Sequence, residues 1–382
     1  MKKGLMIYFA GFAVYVIFIS LYLLVLAPSE IPEAYRGTPA DPAIFMNEQE
    51  LKESTFYSRL RSLLYFISIP LEWGLYLLLM GLGLSRFFRN QAERIGSWSL
   101  VQTAAYVILL TAVTYLWLLP LRIASYRLAV YYGISTQTWS SWLRDLFVGA
   151  GISVLTTTII VWVMISLIKV RPARWWLYAW LASIPLSFLM YYAQPLIIDP
   201  LYHDFELLQD EQLEGQIIAM ARAEDVPADR VYVINKSEKT NSINAYVNGI
   251  GSSLRIVLYD TALARLEQDE TLYIMAHEIG HYVMHHLSWA LFGEIAGSLL
   301  GLYLLFITYN KVVERWGKRW KVRNSYDLAL IPAILLIISI LTFISSPISN
   351  GISRQGSKPL TALPSRKQVM QTQRFARCKN FP

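Results

Sequence analysis

Long apolar stretches separated by polar and charged segments dominate the chain. Each stretch approaches or exceeds the roughly 20 residues that a helix needs to cross the hydrocarbon core of a bilayer. The pattern predicts about seven membrane-spanning helices, at residues 4–26, 63–84, 100–121, 147–168, 175–197, 287–309 and 328–348. Lys2 and Lys3 precede the first stretch, so a signal peptide is an alternative. Because no small-residue cleavage site follows it, we expect a retained span.

A segment with the composition of a soluble domain lies between the fifth and sixth stretches. Within it, Asp210 to Ala223 has the periodicity of an amphipathic helix, and residues 230–234 and 255–259 are rich in strand-forming Val, Ile and Tyr. The predicted fold is a mainly α, polytopic membrane protein that carries a small α+β insert. We divide the chain into an N-terminal membrane region with five spans, the insert, two further spans and an atypical tail, at residues 1–198, 199–286, 287–348 and 349–382.

The composition supports this membrane assignment. Hydrophobic residues make up 55% of the chain and charged residues only 16%, which is too apolar for an ordinary soluble protein. The net charge of +7 fits loops beside an anionic lipid surface, so we expect the bilayer and not nucleic acid as a partner. Cys378 is the single cysteine, so an intrachain disulfide is excluded.

One short motif in the insert indicates chemistry: His277, Glu278 and His281 form the pattern His-Glu-x-x-His. On a helix, residues four apart lie on one face about 6 Å apart along the axis, so both imidazoles can bind one Zn²⁺ ion. Glu278 lies beside them, where its carboxylate can accept a proton from the attacking water. The motif predicts metal-assisted hydrolysis, most often of a peptide bond.

Further residues carry a resemblance to a family. They are Gln194 to Leu201, the triplet Asn244, Ala245 and Tyr246, Ile256 to Asp260, and Ala276 to His281. Together with the order of the spans, they resemble the membrane-embedded zinc metallopeptidases of the CAAX prenyl endopeptidase and HtpX-like type. The resemblance implies a helical chamber in the membrane that is capped by a zincin-like site. It also implies that the strand near Asn244, Ala245 and Tyr246 pairs with an extended substrate. An ordinary turn with a packed aromatic is the alternative there.

The tail departs from that family. The resemblance implies a third zinc ligand from a glutamate shortly after the last span, but no aspartate or glutamate follows Asp327. We expect the tail to be an unrelated extension, such as a frameshift or a truncated gene leaves. His285 lies too far along an unbroken helix to share an ion with His277, and we expect Glu294 and His286 to lie away from the metal face. His203 is a loop candidate without a supporting spacing, so we expect a satisfied surface histidine there.

Three functions follow as hypotheses. The first is an integral-membrane zinc metalloendopeptidase that cuts membrane-associated, misfolded or prenylated polypeptides. The second is a catalytically impaired, protease-like binding protein that lacks a complete metal site. The third is a polytopic transporter in which His277 and His281 bind the transported ion; Glu278 and the soluble insert disfavour it.

The orientation in the membrane is left open by two opposing arguments. Lysine and arginine concentrate at the N-terminus and in residues 86–94, 169–174 and 311–323, which we interpret as alternate loops. The positive-inside rule then places the N-terminus inside and the insert outside the cytoplasm. The resemblance to eukaryotic relatives implies the reverse.

Overall fold

The computed structural model describes residues 2–28, 33, 36–37, 41–44, 46–249 and 254–362. The chain divides into two compact units. Unit 1 comprises Met1–Ala179, Lys239–Asn241 and Tyr303–Ser339, and unit 2 comprises Trp180–Glu238, Ser242–Leu302 and Ile340–Pro382.

Helices account for most of the described residues. The α-helices are α1 Lys2–Leu21, α2 Glu48–Gly81, α3 Leu84–Ile95, α4 Ser99–Tyr131, α5 Trp139–Val170, α6 Trp175–Ala193, α7 Glu211–Ala223, α8 Asp260–Arg265, α9 Gln268–Val283, α10 His286–Trp316 and α11 Ile331–Ala362. The strands are β1 Phe205–Leu207, β2 Val231–Ile234, β3 Ala245–Asn248 and β4 Arg255–Tyr259.

Six of the helical segments within the described residues are long and apolar enough to cross a membrane. They are Lys3–Leu26, Glu48–Gly81, Ser99–Tyr131, Trp139–Val170, Ser288–Trp316 and Leu328–Ile352. The predicted fifth span forms α6, which is not one of these six. The structure thus confirms a polytopic, mainly helical membrane protein with six to seven long apolar helices.

Unit 1 has a core built by five helices, the fifth being α11 through the buried Ile331. Leu75 and Leu79 of α2, Phe88 of α3, Tyr106 of α4 and Val161 of α5 are all buried in it. The amphipathic helix α3 was not predicted: residues 86–94, interpreted above as a basic loop, are helical. The reason is that Phe88 and Ala92 of α3 are buried in this core. Of its arginines, Arg94 is exposed whereas Arg89 is buried with them.

A buried polar cluster accompanies that core. Arg89 Nη1 donates to Asp327 Oδ2 at 2.7 Å, and both side chains are almost fully buried. The backbone N–H of Arg323 donates to the same carboxylate oxygen, and the N–H of Ala329 donates to Oδ1. Asp327 therefore has a partner on each oxygen, as a buried charge requires.

Unit 2 contains a four-stranded sheet in the order β1-β2-β4-β3. β2 and β4 are parallel, whereas β1 pairs with β2 and β3 pairs with β4 in antiparallel fashion. One face of the sheet packs on α7 and α9 through a cluster that includes Ile217, Val231, Ala245, Ile256 and Met275. The edge strand β3 is thereby held beside α9.

The helix formed by the last apolar stretch extends further than predicted. α11 continues from Ile331 to Ala362 and so includes the start of the predicted atypical tail. The rest of that tail, residues 363–382, lies outside the described residues.

Candidate active site

The helix α9 carries the three residues of the predicted metal motif. It begins at Gln268 after Glu267, which forms a capping box with Glu270. Acidic side chains in the first turn suit the positive end of the helix dipole. Met275 and Ile279 lie on the buried face of α9, and this packing fixes the helix on the sheet.

His277 and His281 lie side by side one turn apart on α9. Their ring centroids are 5.0 Å apart and both side chains are half-buried. Desolvation, followed by the neighbouring His277 and His286, lowers the pKa of His281 below its ordinary value. A lowered pKa keeps the imidazole neutral at pH 7, which is the form that binds a metal. The two nitrogen donors therefore fit part of a zinc site.

Glu278 lies between the two histidines in sequence and is half-buried. Burial raises the pKa of its carboxyl above the ordinary value of 4.5. A carboxylate with a raised pKa is a stronger base, so it is better matched to proton transfer near neutral pH. This direction is compatible with the role of general base predicted for Glu278, which stays a prediction.

The described residues provide no complete set of metal ligands. Among them, no group of three or more His, Cys, Asp or Glu side chains is placed to hold a metal ion. Two residues considered above as a replacement third ligand contact other side chains. His203 Nε2 lies 2.6 Å from Lys236 Nζ, and the hydroxyl of Ser187 donates a hydrogen bond to Glu294. His285 is exposed, with a left-handed backbone at φ 54°.

That His286 lies away from the metal face stays a prediction, but the unbroken helix assumed after α9 is wrong. Instead α9 ends at Val283, Met284 caps it and α10 begins at His286. His285 between the two helices is left-handed. The ring of His286 lies 4.8 Å from that of His281, measured between centroids. No glycine or proline marks this break in the sequence, which is why periodicity misses it.

The predicted substrate-binding residues lie at the edge of the sheet. Asn244 precedes β3 and is exposed, and its carbonyl accepts a hydrogen bond from the N–H of Tyr259. Within β3, Ala245 is buried and Tyr246 is half-buried. β3 pairs with β4 on one side, and no strand among the described residues pairs with its other side. An extended peptide has the geometry to add to such an edge.

A polar cavity of about 420 Å³ lies beside the same strand. Its lining includes Asn244, Tyr246, Asp199, His203 and Lys236. Desolvation raises the pKa of Asp199 although the charges of Lys236 and Arg255 oppose the shift. Since Asn244 and Tyr246 alternate with the buried Ala245, a peptide paired with β3 would direct every second side chain toward this cavity.

Known proteins resemble the chain over nearly its whole length. Residues 30–204 match the profile of the CAAX prenyl protease N-terminal region with five membrane helices, and residues 207–358 match that of Peptidase family M48. The uncharacterized metalloprotease YhfN of Bacillus subtilis is 41% identical over 354 residues, which are 93% of this chain and 83% of that protein.

More distant relatives agree with this assignment. The CAAX prenyl protease 1 homolog of Dictyostelium discoideum is 29% identical over 255 residues, and the match covers 64% of this chain and 55% of the relative. The crystal structure of S. mikatae Ste24p superimposes with a TM-score of 0.67 at 20% identity, covering 89% of this chain and 81% of that one, which shows a shared fold. The fold, the helical motif and these matches together show that the chain belongs to peptidase family M48, as a multi-pass membrane metallopeptidase related to the CAAX prenyl proteases.

Proposed function

We propose that this chain is a zinc-dependent endopeptidase of the membrane that cuts extended segments of membrane-associated, misfolded or prenylated polypeptides. The observation that carries the proposal is the pairing of His277 and His281 on α9, 5.0 Å apart between ring centroids, with Glu278 beside them. Family membership supports the zinc, because M48 metalloproteases are typically zinc-dependent.

His277 and His281 would hold the metal through one ring nitrogen each. When bound, zinc supplies Lewis acidity, which polarises a carbonyl and lowers the pKa of water. Glu278 takes a proton from the attacking water and delivers it to the departing amine, because one carboxylate can serve as base and then as acid.

The edge strand β3 would hold the substrate by its backbone. Asn244, Ala245 and Tyr246 present a strand edge that α9 flanks within unit 2. Backbone pairing does not depend on the side chains of the partner, so we expect tolerance for many sequences. A peptide with alternate backbone nitrogens methylated should bind about fivefold more weakly per lost hydrogen bond, at about 1 kcal/mol each. Equal affinity for methylated and unmethylated peptides, measured by competition, would exclude edge pairing.

The test uses the full chain reconstituted in lipid vesicles. The substrates are an unfolded polypeptide that carries a quenched fluorescent peptide and the same polypeptide with a farnesyl group. Both should be cleaved. A chelator should abolish cleavage until zinc is returned. Preference for the farnesylated form would identify prenylated substrates. Cleavage that persists after the metal has been removed and confirmed absent would overturn the proposal.

A second candidate function is peptide binding without turnover. It is favoured by the described residues, which supply two metal donors and no third. Under this reading, vesicles carrying the chain retain the labelled peptide on β3 but release no cleaved product. Family membership argues against the third hypothesis, ion transport.

A further inference from the structure

The turn between α9 and α10 brings a third histidine against the motif. The Nδ1 atoms of His281 and His286 are 2.8 Å apart, and the planes of the two rings are inclined by 71°. His286 is half-buried. The contact lies wholly within unit 2, across the break between α9 and α10 at which His285 adopts a left-handed conformation.

The separation distinguishes two roles for His286. Two nitrogens that bind one tetrahedral zinc ion, each at about 2.0–2.1 Å, lie about 3.3 Å from each other. A separation of 2.8 Å is shorter and matches a hydrogen bond between a protonated and an unprotonated nitrogen. The geometry therefore fits a hydrogen bond between the rings better than shared coordination.

The direction of this hydrogen bond determines which nitrogen of His281 can bind metal. If His281 Nδ1–H donates to His286 Nδ1, the lone pair of the neutral His281 ring is on Nε2. That nitrogen points away from His286 and is available as a ligand. Metal-binding histidines characteristically donate their second ring N–H to a fixed acceptor, which sets the tautomer and the ring orientation.

We propose that His286 is a positioning residue that accepts the Nδ1 proton of His281 and so holds its Nε2 ready for the metal. The proposal rests on the proposed function of His277 and His281 as metal ligands. It assigns to His286 a role through His281 and no contact with the metal.

Three variants of the full chain separate this role from packing. His286→Leu removes the acceptor, whereas His286→Asn restores an acceptor oxygen near the position of Nδ1. His285→Asn is the matched control, because it removes the adjacent exposed histidine and asparagine tolerates the left-handed conformation. Zinc affinity is measured by competition with a chromophoric chelator.

We expect His286→Leu to weaken zinc binding roughly 10- to 100-fold, His286→Asn to recover most of that loss, and His285→Asn to match the wild type. Unchanged affinity in His286→Leu would overturn the proposal. Equal losses in the Leu and Asn variants would also overturn it, since a lost ligand or lost packing would affect both.

A metal-independent measurement keeps this inference separate from the proposed function. With only five histidines in the chain, ¹⁵N-imidazole NMR of the metal-free protein can resolve the tautomer of His281. We expect the Nδ1–H form in the wild type and a shift toward Nε2–H in His286→Leu. An Nε2–H tautomer in the wild type would overturn the inference even if zinc binds, whereas failure of the wild type to bind zinc with the expected tautomer present would overturn the proposed function alone.

Discussion

Each of the two units contains an acidic side chain that is buried or half-buried, and the surroundings of the two are opposite. In unit 1, Asp327 accepts hydrogen bonds from Arg89 and from two backbone N–H groups. In unit 2, Glu278 is half-buried, and burial alone raises its pKa. A buried charge with full partners serves the structure, whereas one that is desolvated without a countercharge is prepared for proton transfer. The contrast supports the prediction that Asp327 serves the structure and Glu278 the chemistry.

The largest expected effect comes from removing the proposed base. Glu278→Gln should lower peptide cleavage about 10²- to 10⁴-fold, because general base catalysis contributes on that scale. Zinc content should not change. The matched control is Glu270→Gln on the same helix, where glutamine can still complete the capping box; it should retain activity. Equal activity of Glu278→Gln and wild type in the peptidase assay would contradict this role.

Breaking the partnered site should instead cost stability. Asp327→Leu leaves Arg89 buried without its countercharge and should lower the free energy of unfolding by about 3–5 kcal/mol. Combining it with Arg89→Met should recover most of the loss, since a buried pair can often be replaced by apolar side chains. Unfolding in a denaturing detergent measures both variants, and a double variant no better than Asp327→Leu would argue against the pair.

Neutralising Glu278 should stabilise the metal-free protein in a pH-dependent way. Because its folded pKa is raised above 4.5, the folded state binds more protons than the unfolded state between the two pKa values. Stability of the wild type is then lost as the pH rises through that window, and it levels off above the folded pKa. Glu278→Gln lacks this loss, so its melting temperature should exceed that of the wild type at pH 8 and converge with it below pH 4.5.

The difference in stability between Glu278→Gln and the wild type at pH 8 should be smaller than the loss of stability in Asp327→Leu. The reason is that Glu278 is only half-buried, so solvent screens its charge. A gap that is constant from pH 4 to pH 8 would show that the substitution acts through packing and not through the charge.

The smallest effect belongs to an ion pair that solvent surrounds. Lys52 and Glu48 are 3.4 Å apart with side chains 77% and 91% exposed. Lys52→Ala should change the free energy of unfolding by no more than about 0.5 kcal/mol, measured in the same detergent titration. A loss approaching that of Asp327→Leu would mean that exposure does not separate the two kinds of charged pair.

Local patterns predicted much of this architecture. The predicted amphipathic helix at Asp210 to Ala223 matches α7 closely, because Asp210 caps it and its apolar residues repeat at the helical period. The strands at 230–234 and 255–259 match β2 and β4. The spacing of His277 and His281 placed both rings on one face of a helix. Their metal-binding role, like the substrate-binding role of Asn244, Ala245 and Tyr246, stays a prediction.

Features that depend on distant contacts or on one backbone angle were missed. The partnership of Arg89 with Asp327 joins residues far apart in sequence, and no local period signals it. The contact of His286 with His281 depends on the left-handed conformation of His285. Asparagine or glycine at that position would have suggested such a turn, but histidine gives a much weaker signal.

The central claim is that His277 and His281 bind one zinc ion, and X-ray absorption at the zinc edge of the purified chain tests it most directly. The account predicts two imidazole nitrogens at about 2.0–2.1 Å in the wild type, one in His281→Ala, and still two in His286→Asn. An unchanged imidazole count in His281→Ala, or a sulfur ligand in the wild type, would contradict the claim.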